Sequence, residues 1–86
     1  MSYNPIMLTG DQIAMARGLA RLTQTELARL ATVTRGTISR AEREGETYPE
    51  ISSQIMLWIV DALEGAGVEF VYSARTITIH QRNSAE

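Results

Sequence analysis

The sequence contains no cysteine and no lysine. Without cysteine there is no disulfide framework and no thiol chemistry, and a cytoplasmic location is expected. No stretch approaches the ~18 apolar residues of a membrane-spanning helix, so no membrane partner is expected. The opening Met1-Ser2-Tyr3-Asn4-Pro5 lacks the basic and apolar regions of a secretory signal. Internal repeats and low-complexity segments are missing too. No serine–histidine–acid set, phosphate-cradling glycine loop or carboxylate pair stands out, so the chain reads as non-enzymatic and without a cofactor. His80 is the one histidine, and with no cysteine beside it no metal site is expected.

The chain has 86 residues, 44% hydrophobic and 21% charged. That suits a single globular domain with one core and leaves no room for a separate ligand-sensing domain. All eight basic residues are arginine. The planar guanidinium fork suits phosphates and guanine edges, although a GC-rich coding sequence produces the same bias. The net charge is −2, but it is unevenly placed. Residues 1–43 carry six arginines against three acids, a balance of +3; residues 44–86 carry two against seven, a balance of −5. A local basic patch matters more for polyanion binding than the global sum. The acids of the second half read as a solvated face turned away from such a partner.

Thr9-Gly10-Asp11-Gln12 has capping-box spacing, and Ile13, Ala16 and Ala20 follow at helical intervals. A first helix is predicted over about residues 10–20. Thr23-Gln24-Thr25-Glu26 repeats the signature ahead of Leu27, Ala28, Leu30 and Ala31. The β-branched run Thr32-Val33-Thr34 interrupts this second helix. Thr34 caps a third, which runs to about Arg43 with Ile38 and Ala41 on its buried side. Residues 44–49 form a loop, since glycine suits a helix stop and proline disfavours helix before it. A fourth helix is predicted over about Ile51 to Glu64, with Ile51, Ile55, Ile59 and Ala62/Leu63 as its stripe. Met56 and Trp58 serve there as core or dimer contacts. Beyond Gly65-Ala66-Gly67 the period changes to two. Val68, Phe70 and Tyr72, then Thr76, Thr78 and His80, alternate around Ser73-Ala74-Arg75. This predicts a hairpin over about 68–72 and 76–81, with a frayed tail from Arg82 to Glu86.

Two short helices joined by a tight turn, the second opening with small polar and basic residues, form a geometry that places a helix in the DNA major groove. Leu27, Ala31, Val33, Ile38 and Ala41 hold the pair to the core, and Ala28 is small where the helices come closest. Residues 9–63 resemble the xenobiotic-response-element (XRE) or Cro/C1-type helix-turn-helix family. The likeness lies in Leu22-Thr23-Gln24-Thr25-Glu26-Leu27-Ala28 and Val33-Thr34-Arg35-Gly36-Thr37-Ile38-Ser39-Arg40-Ala41-Glu42, with Pro49 and the run from Ala62 to Phe70. The resemblance implies a mainly α fold: a λ-repressor-like domain of four to five helices over 9–65. A C-terminal β-hairpin over 66–82 follows, within one structural domain.

The resemblance also implies roles. Gln24 anchors a phosphate with its side-chain amide and backbone N–H. Arg35, Gly36 and Arg40 stand at base-reading positions, with Thr37 and Ser39 against base edges or backbone. Thr23, Thr34, Arg17, Arg43, Thr47 and Tyr48 are the further phosphate-contact candidates. Arg43 equally complements its helix terminus, Tyr48 equally packs on the core, and Arg29 reads as a solvated charge. Arg17 and Glu42 match a pair tying the first helix to the third, read as mainly structural.

Two departures stand out. The turn between the second and third helices usually holds glycine, where this chain has Thr32. The preceding turn often does too, where it has Arg21. Either these residues accept about 1 kcal/mol of strain each or the turns differ in shape. Gly36 offers no side chain to a base and allows close backbone approach. Reading then falls on Arg35 and Arg40, which favour guanine.

The function implied is a sequence-specific transcriptional regulator of double-stranded DNA. It binds an inverted repeat as a homodimer. An isolated hairpin is marginal in water, so a second copy is the expected cover. The dimerisation residues are Trp58, Val68, Phe70, Val71, Tyr72, Ile77 and Ile79. The other arrangement is a hairpin folded back on its own helices. The alternative function is a protein-interaction module, an antitoxin or adaptor, binding a regulatory protein partner.

Overall fold

The computed structural model describes residues 6–82. Four helices are followed by two strands: α1 (Gly10–Leu19), α2 (Gln24–Ala31), α3 (Arg35–Arg43), α4 (Ser53–Gly65), β1 (Val68–Ser73) and β2 (Thr76–Gln81). Each helix begins at a hydroxyl that accepts the backbone N–H three residues on: Thr9 from Gln12, Thr23 from Glu26, Thr34 from Thr37 and Ser52 from Ile55. At the first two, the third residue's side chain reaches back to the cap N–H, completing both capping boxes. Each cap contributes about 1 kcal/mol.

The turns keep the geometry that glycine would adopt, without glycine. Thr32 has φ +61° and Arg21 φ +60°. After α2, Val33 N–H donates to the Ala28 carbonyl at 2.9 Å and Thr32 N–H to that of Arg29 at 3.2 Å. After α1, Leu22 N–H donates to Arg17 at 3.1 Å and Arg21 N–H to Gly18 at 3.1 Å. Both are Schellman endings. The shape is retained and the left-handed strain accepted.

The core is one cluster from Leu8 to Val68. α1 contributes Ile13 and Ala16, α2 Leu27, Ala28 and Ala31, α3 Ile38 and Ala41, and α4 Met56, Ile59, Val60 and Leu63. Each fully buried leucine or isoleucine contributes about 2 kcal/mol relative to exposure. α4 begins two residues later than its sequence pattern predicts, because Ser52 caps it. Its buried stripe is also rotated from the predicted one. Met56 and Val60 are buried, while Ile51, Ile55 and Ala62 are only half-buried. An all-apolar helix gives period analysis little to distinguish its faces.

The N-terminus of α1 meets the end of α3 too closely for any side chain. A Cβ on Gly10 would lie 2.8 Å from the Glu42 carbonyl oxygen and 2.8 Å from Gly45 N, and closer still to the Ala41 carbonyl oxygen. In that contact Gly10 N–H donates to Thr47 O at 3.1 Å and Asp11 N–H to Gly45 O at 2.8 Å.

β1 and β2 pair antiparallel, from Val68 opposite Gln81 to Ser73 opposite Thr76, so the turn is only Ala74-Arg75. β1 packs on α4 and β2 on α1. The hairpin therefore lies back on its own helices, the second of the two arrangements the sequence allows, and this withdraws Val68 from the dimerisation residues. Val68 is fully buried in the chain's own core. Gly67, at φ +101°, turns the chain over the end of α4 immediately before it. Phe70, Ile77 and Ile79 are half-buried against the same core. Trp58 at 43%, Val71 at 41% and Tyr72 at 50% remain exposed.

Arg82, expected to fray, is tied down. Its N–H donates to Gly67 O at 2.6 Å and its guanidinium to Glu64 O at 2.9 Å. The rest of the predicted tail, 83–86, and the opening segment 1–5 lie outside the described residues. Among the described residues no helix is long and apolar enough to cross a membrane.

Two substitutions test this account in urea unfolding. Gly10→Ala forces backbone apart and is expected to cost about 3 kcal/mol. Thr32→Gly relieves the left-handed strain and is expected to stabilise by about 1 kcal/mol.

Candidate nucleic-acid interface

α3 is amphipathic in a way that decides what it presents. Ile38 and Ala41 fix one side in the core. Arg35, Arg40 and Arg43 are exposed, while Gly36, Thr37 and Ser39 are half-buried. The N-terminal turn is closed by Thr34. Its Oγ1 accepts from Thr37 N–H at 3.1 Å and lies 3.0 Å from Thr37 Oγ1. Arg43 donates to Ser39 Oγ at 3.2 Å, so these two side chains lie along one edge of the helix. Among the described residues no carboxylate pairs with Arg35 or Arg40.

Glu42, on the other edge of α3, holds the arrangement together. Arg17 grips it with two parallel bonds, Nε to Oε2 at 2.6 Å and Nη2 to Oε1 at 3.0 Å. Gln24 Nε2 donates to the same Oε1 at 3.0 Å. Arg17 Nη1 also donates to the Leu22 carbonyl at 2.9 Å, bracing the turn that Arg21 strains. The carboxylate side chain is only 9% exposed and the guanidinium 24%. Burial pushes the Glu42 carboxyl up, but hydrogen bonds from Arg17 and Gln24 and the arginine charge outweigh it, so it titrates below its ordinary value. The Arg17 guanidinium is raised, chiefly by its hydrogen bond to Glu42.

The residues singled out from sequence separate into three groups. Arg35, Gly36, Thr37, Ser39 and Arg40 share α3 with Thr34 and Arg43. Gln24 opens α2 and lies against α3 through Glu42, while Thr23 caps α2. Thr47 and Tyr48 lie in the loop bonded to the start of α1. Thr47 Oγ1 donates to the Glu44 carbonyl at 2.8 Å. Tyr48 is 58% exposed, so it does not pack on the core.

Sequence reasoning missed two features. One is the Gln24–Glu42 bond, which no local spacing signals across 18 residues of chain. The other is the close approach at Gly10, whose only sequence signal is a glycine in the first turn of a helix. Among the described residues no group of three His, Cys, Asp or Glu is gathered to hold a metal ion. His80 faces Glu69 across the hairpin, Nε2 to Oε1 at 3.5 Å.

The lowered Glu42 carboxyl gives a signed pH dependence. Its contribution to stability is fully present above the ordinary carboxylate pKa of about 4.3 and is lost as pH falls through the lowered value. Glu42→Gln is expected to cost about 2 kcal/mol at pH 7. The difference from the parent protein should shrink on acidification below about pH 4. Thermal unfolding of both proteins across pH 2–7 checks this, and a constant difference would remove Glu42 as the cause. Compared with known proteins, the sequence matches no family model and no curated relative.

Proposed function

We propose that this chain is a sequence-specific DNA-binding transcriptional regulator of the XRE or Cro/C1 helix-turn-helix type. It binds an inverted-repeat operator as a cytoplasmic homodimer, with residues 34–43 in the major groove. The observation that carries this reading is the pair of exposed arginines on α3, Arg35 and Arg40, which no described carboxylate neutralises. A guanidinium left without a partner on a rigidly seated helix is a fork available to a guanine edge or a phosphate. The opposite face of α3 is locked by Ile38, Ala41 and the Glu42 clamp. Phosphate contact would come from Gln24, Thr23, Thr34, Arg43 and the 47–48 loop. Arg17 contributes less, because three of its N–H groups already face Glu42 and Leu22.

The dimer in this proposal uses the surface that the chain leaves uncovered: Leu57 and Trp58 on α4, and Val71 and Tyr72 on β1. That same exposed apolar set favours a second reading, a protein-interaction module such as an antitoxin or adaptor.

Selection of bound sites from random duplex DNA is the direct test. Arg35→Ala and Arg40→Ala are each expected to weaken binding to the selected site by about 1–3 kcal/mol and to relax base preference. Arg43→Ala should weaken all sequences alike and lower the salt slope by about 1. Equal affinity for selected and scrambled duplexes would end the regulator reading.

For the dimer, removing the hairpin is uninformative, since Val68 would leave the core. Val71→Glu and Trp58→Glu keep the core and are expected to halve the mass in sedimentation equilibrium. Unchanged mass would place the interface elsewhere.

A further inference from the structure

We infer that Gly36 sets the specificity of α3 by housing the Arg40 guanidinium in the space its missing side chain leaves. The inference rests on the DNA-reading function proposed above.

Glycine in a helix usually answers one of two needs. A left-handed φ is one, and Gly36 does not have it. Close approach of another backbone is the other, as at Gly10, and Gly36 lacks that as well. A Cβ built on Gly36 would meet only side-chain atoms: Arg40 Nη1 at 3.1 Å, Thr34 Oγ1 at 3.8 Å and Arg40 Cζ at 3.9 Å. Glycine is also the poorest helix former after proline. Its presence at the second position of a nine-residue helix works against the helix.

The placement follows from helix geometry. Arg40 lies four residues after Gly36, one turn on and on the same face. Long helical side chains lean toward the N-terminus, so the guanidinium extends back over Gly36. This carries the fork away from the acidic loop that follows α3 and toward Thr34 and Arg35, the end of the helix that reaches deepest into a groove. A methyl group at position 36 requires Nη1 to yield by a few tenths of an ångström. Bidentate recognition of a base edge depends on displacements of that order.

The inference separates stability from reading. Gly36→Ala should raise the midpoint of thermal unfolding, because only a flexible side chain must move. The same substitution should reduce discrimination between the selected duplex and a scrambled one by about tenfold. In an Arg40→Ala background, Gly36→Ala should change discrimination no further.

Full discrimination in the single variant would overturn the inference. So would an undiminished loss in the Arg40→Ala background, which would assign the effect to the glycine backbone itself. If Arg40→Ala alone discriminates like the parent, the DNA-reading role of Arg40 falls and this inference falls with it. Nuclear Overhauser contacts between the Gly36 Hα protons and the Arg40 side chain test the placement without DNA. Their absence would overturn it while leaving the proposed function standing.

Discussion

The carboxylate of Glu42 is the point on which the helical half of the molecule turns. It receives Arg17 from α1 and Gln24 from α2 while standing on α3. Three helices are thus referred to one side chain that is largely out of water. A buried carboxylate is costly unless its oxygens are filled by donors of good geometry. Here the donors come from elements far apart in the chain, so satisfying the charge also fixes how the helices are set. Hydrophobic packing alone brings α1, α2 and α3 together but is tolerant of small rotations. The clamp adds direction to that packing.

The arrangement also sorts the arginines. Two are committed to the fold: Arg17 to Glu42 and Leu22, and Arg82 to the end of α4. Among the described residues, Arg35 and Arg40 stand exposed on α3 with no carboxylate paired to them, and Arg43 lies along the same helix bonded only to Ser39. The proposed function depends on this division of one residue type into structural and available members, which composition alone does not reveal. The net charge of −2 conceals it further.

Much of the fold was legible because its signals are local. Thr9, Thr23 and Thr34 announce helix starts, and the change from helical spacing to alternation after Gly67 announces the hairpin. Thr32 and Arg21 stand in the sequence where glycine is usual, and their φ of +61° and +60° with the Schellman bonds decide between accepted strain and a different turn shape. α4 was the least legible helix. Ile51 and Ile55 fit a stripe on paper, but with apolar residues on every side the tertiary contacts choose the face. The candidate site divides likewise. Periodicity separates the buried side of α3 from its exposed positions and the family resemblance supplies their roles, whereas the Gln24–Glu42 bond and the contact at Gly10 join distant segments. Val68 was assigned outward because an isolated hairpin needs a cover; the cover is the chain's own α1 and α4.

The burial of Val68 has a consequence for biosynthesis. The helices that carry the proposed DNA-reading face all precede it in the chain, yet their core includes this residue beyond them, and Arg82 clasps the end of α4 from outside. During translation the four helices leave the ribosome before the strand that completes their packing. The nascent chain therefore holds α3 without the finished scaffold that seats it until Val68 has emerged. A product that stops before Val68 lacks part of its core rather than a dispensable appendage.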